Sequence, residues 1–110
     1  MIDEIFALSS AIRYVAIYKD GELRMKSRTD TANASSSESD RYEELLVNPT
    51  LLTLTTQRGR IDCGGLDYLL VRYGNFFQLV LPIKWGHVSV CIEKEADPIG
   101  IGDALKKLMR

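Results

Sequence analysis

The sequence predicts an α/β domain of the α+β kind: a five-stranded antiparallel sheet with flanking helices, in the order α-β-β-α-β-β-β-α. Three observations predict it. Two β-branched and aromatic runs near the start are joined by the tight-turn pair Asp20-Gly21. Three more strand-like runs follow one another closely from Leu66 to Glu93, and short turns between strands make antiparallel neighbours. Between the two groups lies the longest stretch of helical periodicity in the chain.

The first element is a short helix. Ile2, Ile5 and Phe6 recur at helical spacing, and Asp3 and Glu4 suit its positive end. Ile12 to Tyr18 and Glu22 to Ser27 form the first hairpin. Thr29 to Ser37 is small and polar, which predicts a connector that ends by capping a helix, with Ser35 and Glu38 at capping-box spacing. The other reading of this segment is a phosphorylatable or ligand-gripping loop.

Tyr42, Leu45, Leu46 and Pro49 fall at i, i+3, i+4 and i+7, and Leu51, Leu52 and Leu54 follow. Pro49 has no N–H to donate, so it is expected to kink the helix or restart it with Asn48 as cap. Leucine–threonine alternation from Leu51 to Thr56 also fits a strand, but the element order requires a helix, closed by Gly64-Gly65. The three later strands are Leu66–Tyr73, Phe76–Ile83 and His87–Glu93, separated by Gly74-Asn75 and Trp85-Gly86. Asp97-Pro98 opens the last helix, with Ile101, Ala104, Leu105 and Leu108 as its apolar stripe and Lys106, Lys107 and Arg110 at its negative end. No internal repeat or linker divides residues 1–110, so one domain is expected.

Composition narrows the function. A net charge of −1, from 14 basic and 15 acidic residues, gives no general field for nucleic acid or anionic lipid. No apolar run approaches the roughly 18 residues a membrane helix needs, so no membrane insertion is expected. The acidic start, Met1-Ile2-Asp3-Glu4, is unlike a secretory signal, and a cytoplasmic location with reduced Cys63 and Cys91 is the expectation.

The spacing required for catalysis is missing. A thiol nucleophile needs a base, and His87 is the single histidine. Cys91, four residues away on the same strand, is too far for a direct hydrogen bond. Cys63 meets His87 only if the fold brings them together. The plainer reading is two small buried thiols and a strand-edge histidine. Neither a metal nor a cofactor site has the required spacing, because Cys-x-x-Cys and phosphate-loop patterns are missing. Glu43-Glu44 and Asp3-Glu4 read as solvated helix faces.

What remains is a surface for partners. The segment Tyr42–Leu54 has more apolar positions than one helix face uses, so part of its leucine surface is expected to stay exposed and to mark an association site. The strand from Leu66 to Tyr73 is the expected open edge. Arg58, Arg60, Arg72 and Trp85 are candidate partner-binding residues, because arginine and tryptophan carry energy at interfaces. Each also has an ordinary reading, as a solvated arginine or as a tryptophan covering the core from a turn.

The element order, with a long central helix between a two-strand and a three-strand unit, resembles the roadblock (dynein light chain) family of profilin-like folds. The most specific stretch is Arg60-Ile-Asp-Cys-Gly-Gly-Leu-Asp-Tyr-Leu-Leu-Val-Arg-Tyr-Gly-Asn-Phe-Phe-Gln-Leu-Val-Leu-Pro, continuing to His87-Val-Ser-Val-Cys-Ile-Glu. Pro49 and the Gly64-Gly65 turn depart from the family pattern. The resemblance implies a non-enzymatic dimer in which two central helices pack and two third strands extend a shared sheet. It also implies a regulator, scaffold or adaptor role in signalling, in several prokaryotic members toward small Ras-like GTPases. On this chain the expectation is a homodimer through Leu45, Leu51, Leu52, Leu66, Tyr68 and Leu70, with a small GTPase as a further partner. The alternative is a profilin-like or PAS-like sensor with a small-molecule cavity near Phe76, Phe77 or Tyr68; a thiol enzyme using Cys63 is a third reading.

Overall fold

A computed structural model describes residues 1–28 and 36–110 of the chain. Its elements are α1 (Ile2–Phe6), β1 (Ile12–Lys19), β2 (Glu22–Ser27), α2 (Ser37–Tyr42), a π-helical turn (Glu43–Val47), α3 (Asn48–Asp62), β3 (Leu69–Arg72), β4 (Phe76–Ile83), β5 (Gly86–Glu93) and α4 (Pro98–Leu108). The five strands form one sheet in the order β2-β1-β5-β4-β3, and every neighbouring pair is antiparallel. The two-strand and three-strand units therefore meet where β1 pairs with β5, leaving β2 and β3 as the outer strands.

Strand alternation sorts the side chains onto two chemically different faces. On one face Val15, Ile17, Leu79, Leu81, Val88, Val90 and Ile92 pack with Ile5 of α1 and with Ile101 and Leu105 of α4. The neighbouring residues of β4 and β5, Gln78, His87, Ser89 and Cys91, point the other way and are also buried. The hydrocarbon core thus lies between the sheet and the two terminal helices, and the central helix covers a polar face.

That central helix is α2, the π turn and α3 in direct succession. Helix α2 is capped by Ser36: the Ser39 N–H donates to Ser36 Oγ (3.2 Å), and Ser39 Oγ–H donates back to the Ser36 carbonyl (2.9 Å). Ser35 lies outside the described residues, as does most of the Thr29–Ser37 connector. Pro49 neither breaks the helix nor makes Asn48 a cap. Proline cannot donate to the carbonyl four residues back, and its ring crowds that carbonyl. The wider turn before it, in which the Asn48 N–H bonds to the Glu43 carbonyl, gives it room. Downstream, Thr50, Thr53 and Thr55 donate their hydroxyls to the carbonyls of Leu46, Pro49 and Leu51. The leucine–threonine alternation thus runs as helix rather than strand, with its threonine hydroxyls bonded within the helix, a contact that bends helices more than it favours them.

The helix ends at Asp62, and the chain reverses through Gly64 and Gly65, at φ 78° and 89°. Strand β3 is shorter than the expected Leu66–Tyr73. Its register sets Leu69 against Val80, so two steps further Asp67 would face Pro82, which has no N–H to continue the ladder. Leu66 and Tyr68 therefore precede the strand. Asp97 caps α4 as expected, its carboxylate accepting from the Ile99 N–H (3.1 Å).

Candidate functional site

The central helix has an inner and an outer side. Glu44, Asn48, Leu52 and Gly59 are buried. Leu46, Leu54 and Ile61 on the other side are 52%, 60% and 76% exposed, and Tyr42 and Leu45 are exposed with them. Large apolar side chains spaced along an exposed helix face are the surface that the leucine count predicts. Among the described residues the outer strand β3 pairs with β4 only; Leu70, opposite Leu79, is exposed on its α4 side.

The six predicted interface residues are divided by this geometry. Leu45 faces solvent, Leu51 is half-buried, and Leu52 is only 9% exposed. Leu66 and Tyr68 are half-buried, and the Tyr68 hydroxyl donates to Asp103 of α4 (3.3 Å). Leu46, Leu54 and Ile61 complete the exposed stripe. Of the candidate cations, Arg58 is tied to Asp62 one turn on (2.6 Å), Arg60 is exposed, and Arg72 sits over the Phe77 ring. Trp85 is 70% exposed at the β4–β5 turn with Lys84 Nζ over its ring.

The helix is seated by a buried polar cluster, and Glu44 is its centre. One carboxylate oxygen is 2.8 Å from His87 Nε2 and accepts from Asn48 Nδ2 (2.9 Å); the other accepts from the Tyr14 hydroxyl (2.9 Å). Gln78 donates to Ser89 Oγ and accepts from Cys91 Sγ (2.9 Å). Burial, then the Glu44 charge, pushes the Tyr14 hydroxyl and the Cys91 thiol well above their ordinary pKa ranges. Glu44 is thus not the solvated carboxylate expected of an adjacent acidic pair, nor is His87 a strand-edge side chain. The polar alternation His87, Ser89, Cys91 on β5 was the signal for this face, together with Glu44 and Asn48 one turn apart.

The expectation of two buried thiols holds for Cys91 and fails for Cys63, which is exposed at the end of α3 with its Sγ 3.4 Å from Asp62. His87 is bound to Glu44 inside the fold, so a Cys63–His87 pair is not assembled. Among the described residues no group of three or more histidine, cysteine or carboxylate side chains converges as a metal site, and no helix is long and apolar enough to cross a membrane.

No sequence-family model matches the chain, and no curated protein sequence matches it. The fold does match. A Roadblock/LC7 domain from Streptomyces avermitilis superposes with a TM-score of 0.72 over 97% of this chain and 87% of that one, at 15% identity. The chain has the roadblock fold, as its element order suggests.

Proposed function

We propose that the chain is a non-enzymatic interaction module that pairs with a second copy of itself and serves as a regulator or scaffold in signalling, with a small Ras-like GTPase as client. The observation that carries this reading is the exposed stripe Leu46, Leu54 and Ile61 on a rigidly seated helix, together with an outer strand, β3, that among the described residues pairs with β4 only. Two-fold pairing would cover both features at once, helix against helix and β3 against its mate. The roadblock fold, shared with the Streptomyces domain, supports the same reading.

The sensor reading has less support. Phe76 stacks edge-on with Tyr73, Phe77 lies under Arg72, and the Tyr68 ring packs at Gly102, so these three side chains fill space between elements. The GTPase client is tested by passing purified candidate GTPases, loaded with GDP or a GTP analogue, over the immobilised protein. Nucleotide-dependent retention lost in Leu54→Glu supports the role. Retention of neither form of any candidate removes the GTPase from it.

A further inference from the structure

The β4–β5 turn has features that the dimer reading does not use. Trp85, the single tryptophan, adopts φ 67°, a left-handed backbone that bulky residues rarely take. It is held there from both sides. The Asp20 N–H donates to its carbonyl (3.1 Å), and the following residue must be Gly86, because a Cβ there would overlap the Tyr18 carbonyl oxygen. The Trp85 backbone is thus held at the hairpin end, and its indole is exposed.

Beside this end lies a groove of about 290 Å³ between the close of β4 and the last turn of α4. Pro82, Ile83 and Met109 give it apolar walls, and Lys84, Lys106 and Arg110 give it cations. Lys106 is neutralised by Asp67 (2.8 Å). Lys84 and Arg110 form no salt bridge among the described residues. A chain of net charge −1 therefore places two cations without a salt bridge, Lys84 and Arg110, around an apolar cleft, with Lys84 Nζ also over the Trp85 ring. The groove is on the α4 side of the sheet, opposite the central helix.

We propose that this groove docks an acidic peptide segment of a partner protein, with one apolar side chain against Pro82, Ile83 and Met109 and flanking carboxylates on Lys84 and Arg110. Charge complementarity selects the acid, and the cleft between walls selects a side chain over a flat surface.

Trp85 supplies the readout, because Lys84 of the groove lies over its ring. Wild-type protein is titrated with a panel of tryptophan-free heptapeptides, each with a central leucine or phenylalanine among glutamates and aspartates, and tryptophan emission is followed. A saturable blue shift is expected for at least one member. Lys84→Glu/Arg110→Glu should weaken it tenfold or more, as should salt of about 0.5 M, where screening acts within roughly 4 Å. Both substitutions are on exposed side chains, and circular dichroism checks that the variant stays folded. Absence of saturable binding below about 1 mM across the panel overturns the proposal. So does binding that the double variant leaves unchanged, or an equal shift with phosphatidylserine vesicles. The titration is repeated on Leu54→Glu, so that loss of the dimer and loss of the groove are read separately.

Discussion

Glu44 is the residue on which the seat of the central helix depends. It takes three hydrogen bonds inside the fold, from His87, Asn48 and Tyr14; its removal takes that acceptor from His87 and Tyr14 and leaves Asn48 Nδ2 with Ser89 Oγ at 3.5 Å. Glu44→Leu is expected to lower unfolding free energy by about 3 kcal/mol, measured by urea denaturation, which exceeds the roughly 1 kcal/mol typical of a single hydrogen bond. Glu43, its neighbour, behaves differently. Burial raises its pKa above the ordinary 4.5, while the Tyr73 hydroxyl (3.0 Å) opposes the shift and the charges of Glu44 and Asp40 add to it. The same contact, after burial, pushes the Tyr73 hydroxyl up to about 12. A carboxyl with a raised folded pKa binds its proton more tightly in the folded state, so its ionisation costs stability as pH rises through that value. Glu43→Gln is therefore expected to raise the urea midpoint at pH 7, by an amount that fades as pH falls toward 4.5. The thiols give a third test. Iodoacetamide on native protein at pH 8 should modify Cys63 and spare Cys91 until the chain is unfolded, as mass spectrometry of the peptides will show. Modification of Cys91 at the rate of Cys63 would contradict the buried cluster.

At the scale of elements, boundaries set by local chemistry were legible and those set by tertiary partners were not. The hairpin at Asp20-Gly21 and the Asp97-Pro98 start of α4 follow from turn and cap preferences, and both hold. Strand β3 begins later than Leu66 because of Pro82 on its partner, which no reading of Leu66–Tyr73 by itself reveals. The π turn is similar: Pro49 announced a disturbance, but the turn also carries Glu44, whose partners His87 and Tyr14 lie on strands distant in sequence, on the sheet face it covers. The leucine surplus in the central helix was readable as a count. Which leucines face outward was not, because the wider turn changes the helical phase, and Leu52 is buried where Leu46 and Leu54 are exposed. A charge at Leu52 should therefore destabilise the protein, whereas one at Leu54 should leave the fold intact. Thermal melts followed by circular dichroism separate the two, with a loss of several degrees or more for Leu52→Glu and little change for Leu54→Glu.

The whole molecule is a sheet with two unlike faces. The apolar face, under α1 and α4, supplies most of the hydrocarbon core, and the polar face fixes the central helix by specific hydrogen bonds. This division leaves the outer leucines of the helix free to serve another surface. Association is the use the proposed function gives them, and sedimentation velocity on the wild-type chain tests it most directly. At tens of micromolar, a range in which an interface of standard size holds, the account predicts a single dimeric species, and a monomeric species for folded Leu54→Glu. A wild-type chain that sediments as a monomer throughout that range would contradict it.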